Sequence, residues 1–316
     1  MNKTTDSLFV AGHRGMAGSA LLRHAATAGW TKVITASREE LDLIDAAAVH
    51  QWVGATKPRA MIVAAARVGG IMANKTQMAE FFYENLAIST NLIRAAHLHA
   101  VPRLLFLGSS CIYPRLAPQP MPETCLLESA LESTNEGYAL AKIAGLKYCQ
   151  YLRRQYGMLF HSIMPTNLYG PGDNYHPENS HVIPGMLRRF HEARLAGSPS
   201  VTIWGTGQPR REFLHVDDLA EACFHLLSQE DPPDWVNAGT GTDVSILELA
   251  HLLREVTGYS GEVLTDPSKP DGTPRKLMDV SLMESLGWKA RTTLADGLRE
   301  TYAAYLKAEK DSTLRC

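Results

Sequence analysis

Hydrophobic positions fall into two alternating patterns through the first half of this chain. Short apolar runs at 8–11, 33–36, 61–65, 104–107 and 162–164 have the length and continuity of strands buried on both faces. Between them lie longer stretches, 17–28, 79–99 and 139–156, where apolar residues recur every three or four positions, as in helices that bury one face. Strand and helix in strict alternation predict an α/β fold, a Rossmann-type doubly wound parallel sheet with right-handed crossovers. Beyond Pro165 the pattern loosens into segments rich in Pro, Gly, Asn and His. These carry predicted helices at 182–193, 219–227, 246–256 and 294–306 and a strand at 201–204. The reading is a nucleotide-binding domain over 1–165 and a smaller C-terminal α/β substrate lobe over 166–316. One segment near 210–240 returns to the sheet through a strand at 235–238.

Composition narrows the class. The 316 residues are 45% hydrophobic and 20% charged, ordinary for a globular protein with a sizeable core. A formal net charge of −2 gives no reason to expect nucleic acid or a membrane surface as partner. No apolar stretch reaches the ~18 residues of a spanning helix, and the start, Met-Asn-Lys-Thr-Thr-Asp-Ser, does not read as a secretory leader. Five cysteines without metal-ligand spacing suggest a reducing compartment, so a cytoplasmic location is expected. His97 and His99 are two apart on a predicted helix and cannot share a face, and no metal is expected.

A glycine turn follows the first strand: Gly12-His13-Arg14-Gly15-Met16-Ala17-Gly18. Glycines at this spacing let the backbone turn tightly and bring a helix N-terminus against a pyrophosphate. At the end of the second strand stands Arg38, where a carboxylate would bind a ribose 2′-hydroxyl. With Arg14 it offers two guanidiniums to a phosphate monoester, which favours NADPH. The competing reading is that Arg38 pairs with Glu39 or Glu40, its immediate neighbours.

The chemistry is carried by two residue pairs. Tyr138 and Lys142 are four apart on one helix face, where the ammonium is expected to lower the phenol from its reference near 10 and make it a proton donor to a carbonyl oxygen. Ser109 follows the fourth strand and can bind the same oxygen. Cys111, two residues on, adds an acid–base group that simple dehydrogenation does not need. Cys125, Cys149, Cys223 and Cys316 read as structural or incidental.

With these pairs in place the chain resembles the extended short-chain dehydrogenase/reductase family over essentially its whole length. The resemblance rests on the strings at 12–18, 66–71 (Ala-Arg-Val-Gly-Gly-Ile), 107–114 (Leu-Gly-Ser-Ser-Cys-Ile-Tyr-Pro), 165–171, 179–184 (Asn-Ser-His-Val-Ile-Pro), 211–218 (Arg-Glu-Phe-Leu-His-Val-Asp-Asp) and 269–276. It implies NADPH-dependent 3,5-epimerisation and 4-reduction of a GDP-4-keto-6-deoxy-D-mannose to GDP-L-fucose. The alternative is an epimerase–reductase, 4-epimerase or dehydratase acting on another nucleotide sugar; dehydratases of this scaffold place an Asp-Glu pair where Ser110-Cys111 stands. By the resemblance Ser109, Tyr138 and Lys142 form the reductase triad, and Cys111 with His181 the epimerisation pair. Cofactor contacts fall on 12–18, Arg38, Leu41, Asp42, Leu43, Leu107, Gly108, Lys142, Pro165, Asn167, Leu168 and His181. Arg189, Trp204, Arg211 and Asp271 contact the GDP-sugar. Read from the residues, Arg188 competes with Arg189 for the diphosphate, Trp204 could equally be core, and His215-Val-Asp217-Asp218 is a helix start capped by an aspartate. Gly137 stands where proline is common in the family, and Arg67 where lysine is frequent. Relatives pair the helices at 79–99 and 139–156 in a four-helix interface, so a homodimer is expected.

Overall fold

The computed structural model describes residues 3–177, 179–269 and 271–316, without the side chains of Ile71 and Met72. Six parallel strands form the central sheet: β1 (Ser7–Ala11), β2 (Lys32–Ile34), β3 (Ala60–Val63), β4 (Arg103–Leu107), β5 (Leu159–Pro165) and β6 (Trp235–Ala238). Their order across the sheet is β6-β5-β4-β3-β1-β2. The order reverses between β1 and β3, the kind of crevice where open α/β sheets bind ligands. Strand β6 adds to β5 in register Trp235 with Ser162 through Ala238 with Pro165, so the returning segment is an edge strand of the same sheet.

Eight longer helices occur among the described residues: α1 (Met16–Thr27), α2 (Ala46–Thr56), α3 (Met78–Leu98), α4 (Glu136–Tyr156), α5 (Val182–Ala196), α6 (Val216–Ser228), α7 (Ile246–Thr257) and α8 (Leu294–Lys310). One apolar layer joins α1 and α6 to a sheet face through Leu8, Val10, Leu21, Leu214 and Leu219. The other packs α2, α3 and α4 against Phe9, Met61, Phe106 and Phe160. Full burial of each such side chain stabilises by about 1.5–3 kcal/mol, so the sheet is held from both faces. The C-terminal lobe has its own core of Ile183, Leu187, Phe190, Leu249, Leu253, Tyr302 and Tyr305.

The sequence reading needs local corrections. Strand β2 stops at Ile34 rather than running to Ala36. A turn over 37–41 draws the chain away there: Leu41 N–H donates to Ser37 O (2.9 Å), and Ser37 N–H donates to Glu40 Oε2 (2.7 Å). Helix α2 was not anticipated from its alanine-rich run; Asp45 caps it by accepting from Ala47 and Ala48 N–H (2.9 and 3.0 Å). Helix α6 is capped by the His215 ring, which accepts from Asp217 N–H (3.4 Å), and not by an aspartate. Asp218 instead turns under the C-terminal lobe and accepts from Arg291 and Thr292 N–H (3.3 and 2.9 Å). No helix among the described residues is long and apolar enough to cross a membrane.

Candidate active site

The glycine turn closes tightly between β1 and α1. Gly12 adopts φ +84°, and Gly15 N–H donates back to Gly12 O (3.0 Å). A Cβ on Gly12 would lie 2.6 Å from the Ala65 backbone, and one on Gly18 only 2.0 Å from Gly12 O. Gly15 caps α1 without a side chain, leaving the positive helix end bare for an anion. A cradle that side chains would fill, facing a helix N-terminus, fits a dinucleotide pyrophosphate. Beside it, Glu39 reaches Arg14 (3.5 Å) with both groups exposed, a contact worth little. Glu40 is taken up by the Ser37 turn, so neither glutamate forms an ion pair with Arg38, which stays exposed. Leu41 is buried and Leu43 half-buried against the sheet, and Asp42 Oδ1 accepts from Ile44 N–H (3.0 Å).

The candidate catalytic groups gather at the C-terminal end of β4. Ser109 begins a single 3-10 turn, and its Oγ accepts from Cys111 N–H (3.2 Å). The Tyr138 phenol on α4 is within hydrogen-bonding reach of the Ser109 hydroxyl and faces Cys111. One turn along α4, Lys142 is 4% exposed; its Nζ donates to Leu107 O (2.8 Å) and lies 5.8 Å from the Tyr138 ring centre. Burial lowers the Lys142 ammonium to about 8. The expectation that Lys142 lowers Tyr138 is overturned: burial pushes the phenol up, the nearby thiol pushes the same way, and the Ser109 hydrogen bond offsets only part. The Tyr138 phenol is only partly exposed, and the hydration its phenolate loses to the surrounding protein outweighs a cation engaged elsewhere. Gly137 starts the helix where a Cβ would meet Met78 O at 2.8 Å, so its small size lets α3 and α4 close together.

His181 is the N-cap residue of α5, but its ring makes no capping bond. It is open to solvent yet walled by protein, and loss of hydration lowers its imidazole. Its loop is tied across the cleft, where Gly70 N–H donates to Asn179 O (3.3 Å). A cavity of about 270 Å³ lined by Arg67, Gly69, Phe81, Asn174 and Asn179 adjoins this loop. Arg67 is itself engaged by Glu84 and Gln77.

The four substrate candidates form a chain of contacts in the C-terminal lobe. Arg189 donates to Thr202 O (3.4 Å) on the strand Ser200–Trp204. Trp204 ends that strand 70% exposed, which removes the core reading. Two residues on, Thr206 N–H and hydroxyl donate to the Asp271 carboxylate (2.9 and 2.7 Å). Next to Asp271, Gly272 packs against Arg211, which also donates to Thr273 O (2.6 Å). Arg188 is committed to Glu192 (2.7 Å) and Tyr175 O (2.9 Å), so Arg189 is the arginine left for a ligand. Partial loss of hydration to the surrounding protein holds both the half-buried Arg211 and the more exposed Arg189 below the ordinary arginine value.

Two residues here escaped the sequence reading. Glu212 is fully buried and accepts from Thr240, Gly241 and Met278 N–H (2.7, 2.8 and 3.0 Å), fixing the strand that bears Arg211. Lys276, on the strand Arg275–Lys276 that pairs with Arg210–Arg211, points its Nζ at Cys111 Sγ (3.6 Å). Glu212 sits inside a recognisable string, but Lys276 meets Cys111 only through folding. No cluster of three metal-ligating side chains occurs among the described residues.

The profile of the NAD dependent epimerase/dehydratase family matches residues 8–239. GDP-L-fucose synthase 1 of Arabidopsis thaliana is 54% identical over 97% of this chain and 95% of its own length. GDP-L-fucose synthase of Escherichia coli K12 is 51% identical, covering 95% of this chain and 96% of its own. Among solved structures, a Campylobacter jejuni GDP-mannoheptose C4 reductase with NADP bound superposes with TM-score 0.88 at 36% identity, covering 95% of this chain and 98% of that one.

Proposed function

The chain belongs to the NAD dependent epimerase/dehydratase family, and on that premise we propose that it converts GDP-4-keto-6-deoxy-D-mannose to GDP-L-fucose by 3,5-epimerisation and 4-reduction. The observation that carries the reading is Cys111 beside Ser109, its backbone N–H on the Ser109 hydroxyl (3.2 Å), with the Tyr138 phenol next to both residues. A reductase needs the phenol and hydroxyl; the thiol adds the acid–base group of an epimerase. A 4-keto sugar has acidic protons at C3 and C5, because the enolate spreads onto the C4 oxygen. Cys111, as thiolate, removes them on one face. His181 returns protons on the other; an imidazole lowered by its surroundings is the stronger acid once charged. Ser109 and Tyr138 donate hydrogen bonds to the C4 oxygen as it gains charge. NADPH, when bound, supplies the hydride to C4. Tyr138, kept protonated by burial, passes its proton to the resulting alkoxide, and Lys142 holds the nicotinamide ribose.

Residues 1–165, with the return near 210–240, hold the cofactor through the turn at 12–18, Arg38, Leu41–Leu43, Leu107, Gly108, Pro165, Asn167 and Leu168. The 166–316 lobe holds the GDP-sugar, with Trp204 against the base and Arg189 and Arg211 on the diphosphate. The protein acts in the cytoplasm, consistent with five free cysteines, and as a homodimer. The dimer reading is supported by Phe82, Tyr83, Leu140 and Tyr151, large residues left exposed on the packed pair α3 and α4. Light scattering at micromolar concentration should give twice 34.7 kDa; the monomer mass would remove it. The test of function is NADPH oxidation with GDP-4-keto-6-deoxy-D-mannose, the product sugar identified by NMR. GDP-L-fucose is the expected product; no oxidation by protein that binds NADPH would overturn the assignment.

A further inference from the structure

We propose that Lys276 is the positioning residue of the epimerisation thiol: its ammonium holds Cys111 as the thiolate and fixes where the sulfur stands. The inference rests on the function proposed above and adds a residue to it. Lys276 Nζ lies 3.6 Å from Cys111 Sγ across 165 residues of sequence, and both side chains are partly buried, where a charge pair is less screened than on an open surface. Neither end is free to drift. Lys276 O accepts from Glu212 N–H (3.3 Å), and the next residue, Leu277, donates to Gln119 Oε1 (2.8 Å). Cys111 is held by its own N–H on Ser109 Oγ (3.2 Å).

The other groups around the sulfur do not supply this charge. From α4, Tyr138 faces Cys111 as a neutral phenol, since burial keeps its proton on. Lys142, one turn further, is engaged at Leu107 O (2.8 Å). Arg211, on the strand beside Lys276, turns to Arg210 O and Thr273 O (2.8 and 2.6 Å). His181 is neutral at rest, its imidazole lowered by its walls. No carboxylate among the described residues forms an ion pair with Lys276, so its ammonium remains for the sulfur. A thiolate needs such a cation when it is taken partly out of water.

The test compares the native protein with Lys276→Met and Lys276→Arg. The first readout is alkylation of Cys111 by iodoacetamide against pH, followed by peptide mass mapping. Exposed Cys316 serves as internal reference, since Cys125, Cys149 and Cys223 are buried. In Lys276→Met the Cys111 midpoint should rise by about one pH unit or more, so alkylation near pH 7 slows about tenfold. Lys276→Arg should restore much of it, and Cys316 should not move. The second readout is deuterium uptake at C3 and C5, which should fall at least tenfold more than reduction of the pre-epimerised ketone. An unmoved Cys111 midpoint overturns the proposal. So do equal losses in both reactions with a raised KM, which would make Lys276 a diphosphate ligand. Alkylation needs no sugar, so a shifted midpoint in a protein that fails to oxidise NADPH supports the pairing while refuting the proposed reaction.

Discussion

Two alanine substitutions in the glycine turn should separate folding from cofactor binding. At Gly18 an added methyl would sit 2.0 Å from Gly12 O and 2.7 Å from the Gly12 carbonyl carbon and His13 Cα. All three are backbone atoms and cannot rotate away, so the helix start must shift. Overpacking of this kind costs about 3 kcal/mol at its upper range, and the better helix propensity of alanine returns about 1 kcal/mol. The net is about 2 kcal/mol. Unfolding entropy of ~2.1 cal/mol/K per residue over 316 residues is about 0.7 kcal/mol/K, so Gly18→Ala should melt about 3 °C lower. At Gly15 the nearest atom to an added methyl is Gly12 O at 3.4 Å, an acceptable contact. Gly15→Ala should therefore melt within about 1 °C of the native protein, yet bind NADPH about tenfold more weakly, a loss of about 1.4 kcal/mol, because the methyl occupies the approach of the pyrophosphate. Differential scanning fluorimetry and NADPH fluorescence titration read the two quantities. If Gly15→Ala loses as much stability as Gly18→Ala, or if Gly18→Ala melts like the native protein, the division of roles is refuted.

Two further substitutions test the chemical and substrate ends. Lys142 releases its proton near 8 in the fold against about 10.4 unfolded. The unfolded chain therefore binds more protons between those values, and stability from this group rises with pH across that window and is lowest below 8. That shift is about 3 kcal/mol of charge burial; less about 1 kcal/mol for the lost bond to Leu107 O, Lys142→Met should melt about 3 °C higher at pH 7, the gain fading above pH 8, while reduction falls by at least about a hundredfold. A lower melting point at pH 7 would refute the burial argument. Trp204, 70% exposed with Lys269 Nζ 5.8 Å from its ring centre, contributes little to the core. Trp204→Ala should leave melting within about 1 °C and raise the GDP-sugar KM about tenfold, since stacking on a base is worth about 1–3 kcal/mol; an unchanged KM would place the base elsewhere.

What could be read from the sequence follows from the range of the interactions involved. The sheet was legible because β1, β3, β4 and β5 are buried on both faces, and such strands are continuous apolar runs. The C-terminal lobe was less so. Its strands Arg210–Arg211, Phe213–His215 and Arg275–Lys276 are two or three residues long, too short for a period of two to register, and backbone hydrogen bonds to the buried Glu212 help hold that region. The candidate catalytic groups divide in the same way. Ser109 with Cys111, and Tyr138 with Lys142, are near neighbours in sequence, so local geometry already places each pair together. Their electrostatics were not local. Whether Lys142 lowers Tyr138 depended on how much water folding removes from the phenol and on Leu107 O drawing the ammonium aside. The contact of Lys276 with Cys111 joins two lobes of the chain, and no spacing rule reaches that far. Spacing therefore nominates the candidate groups, while the charges around them come from segments the fold brings in afterwards.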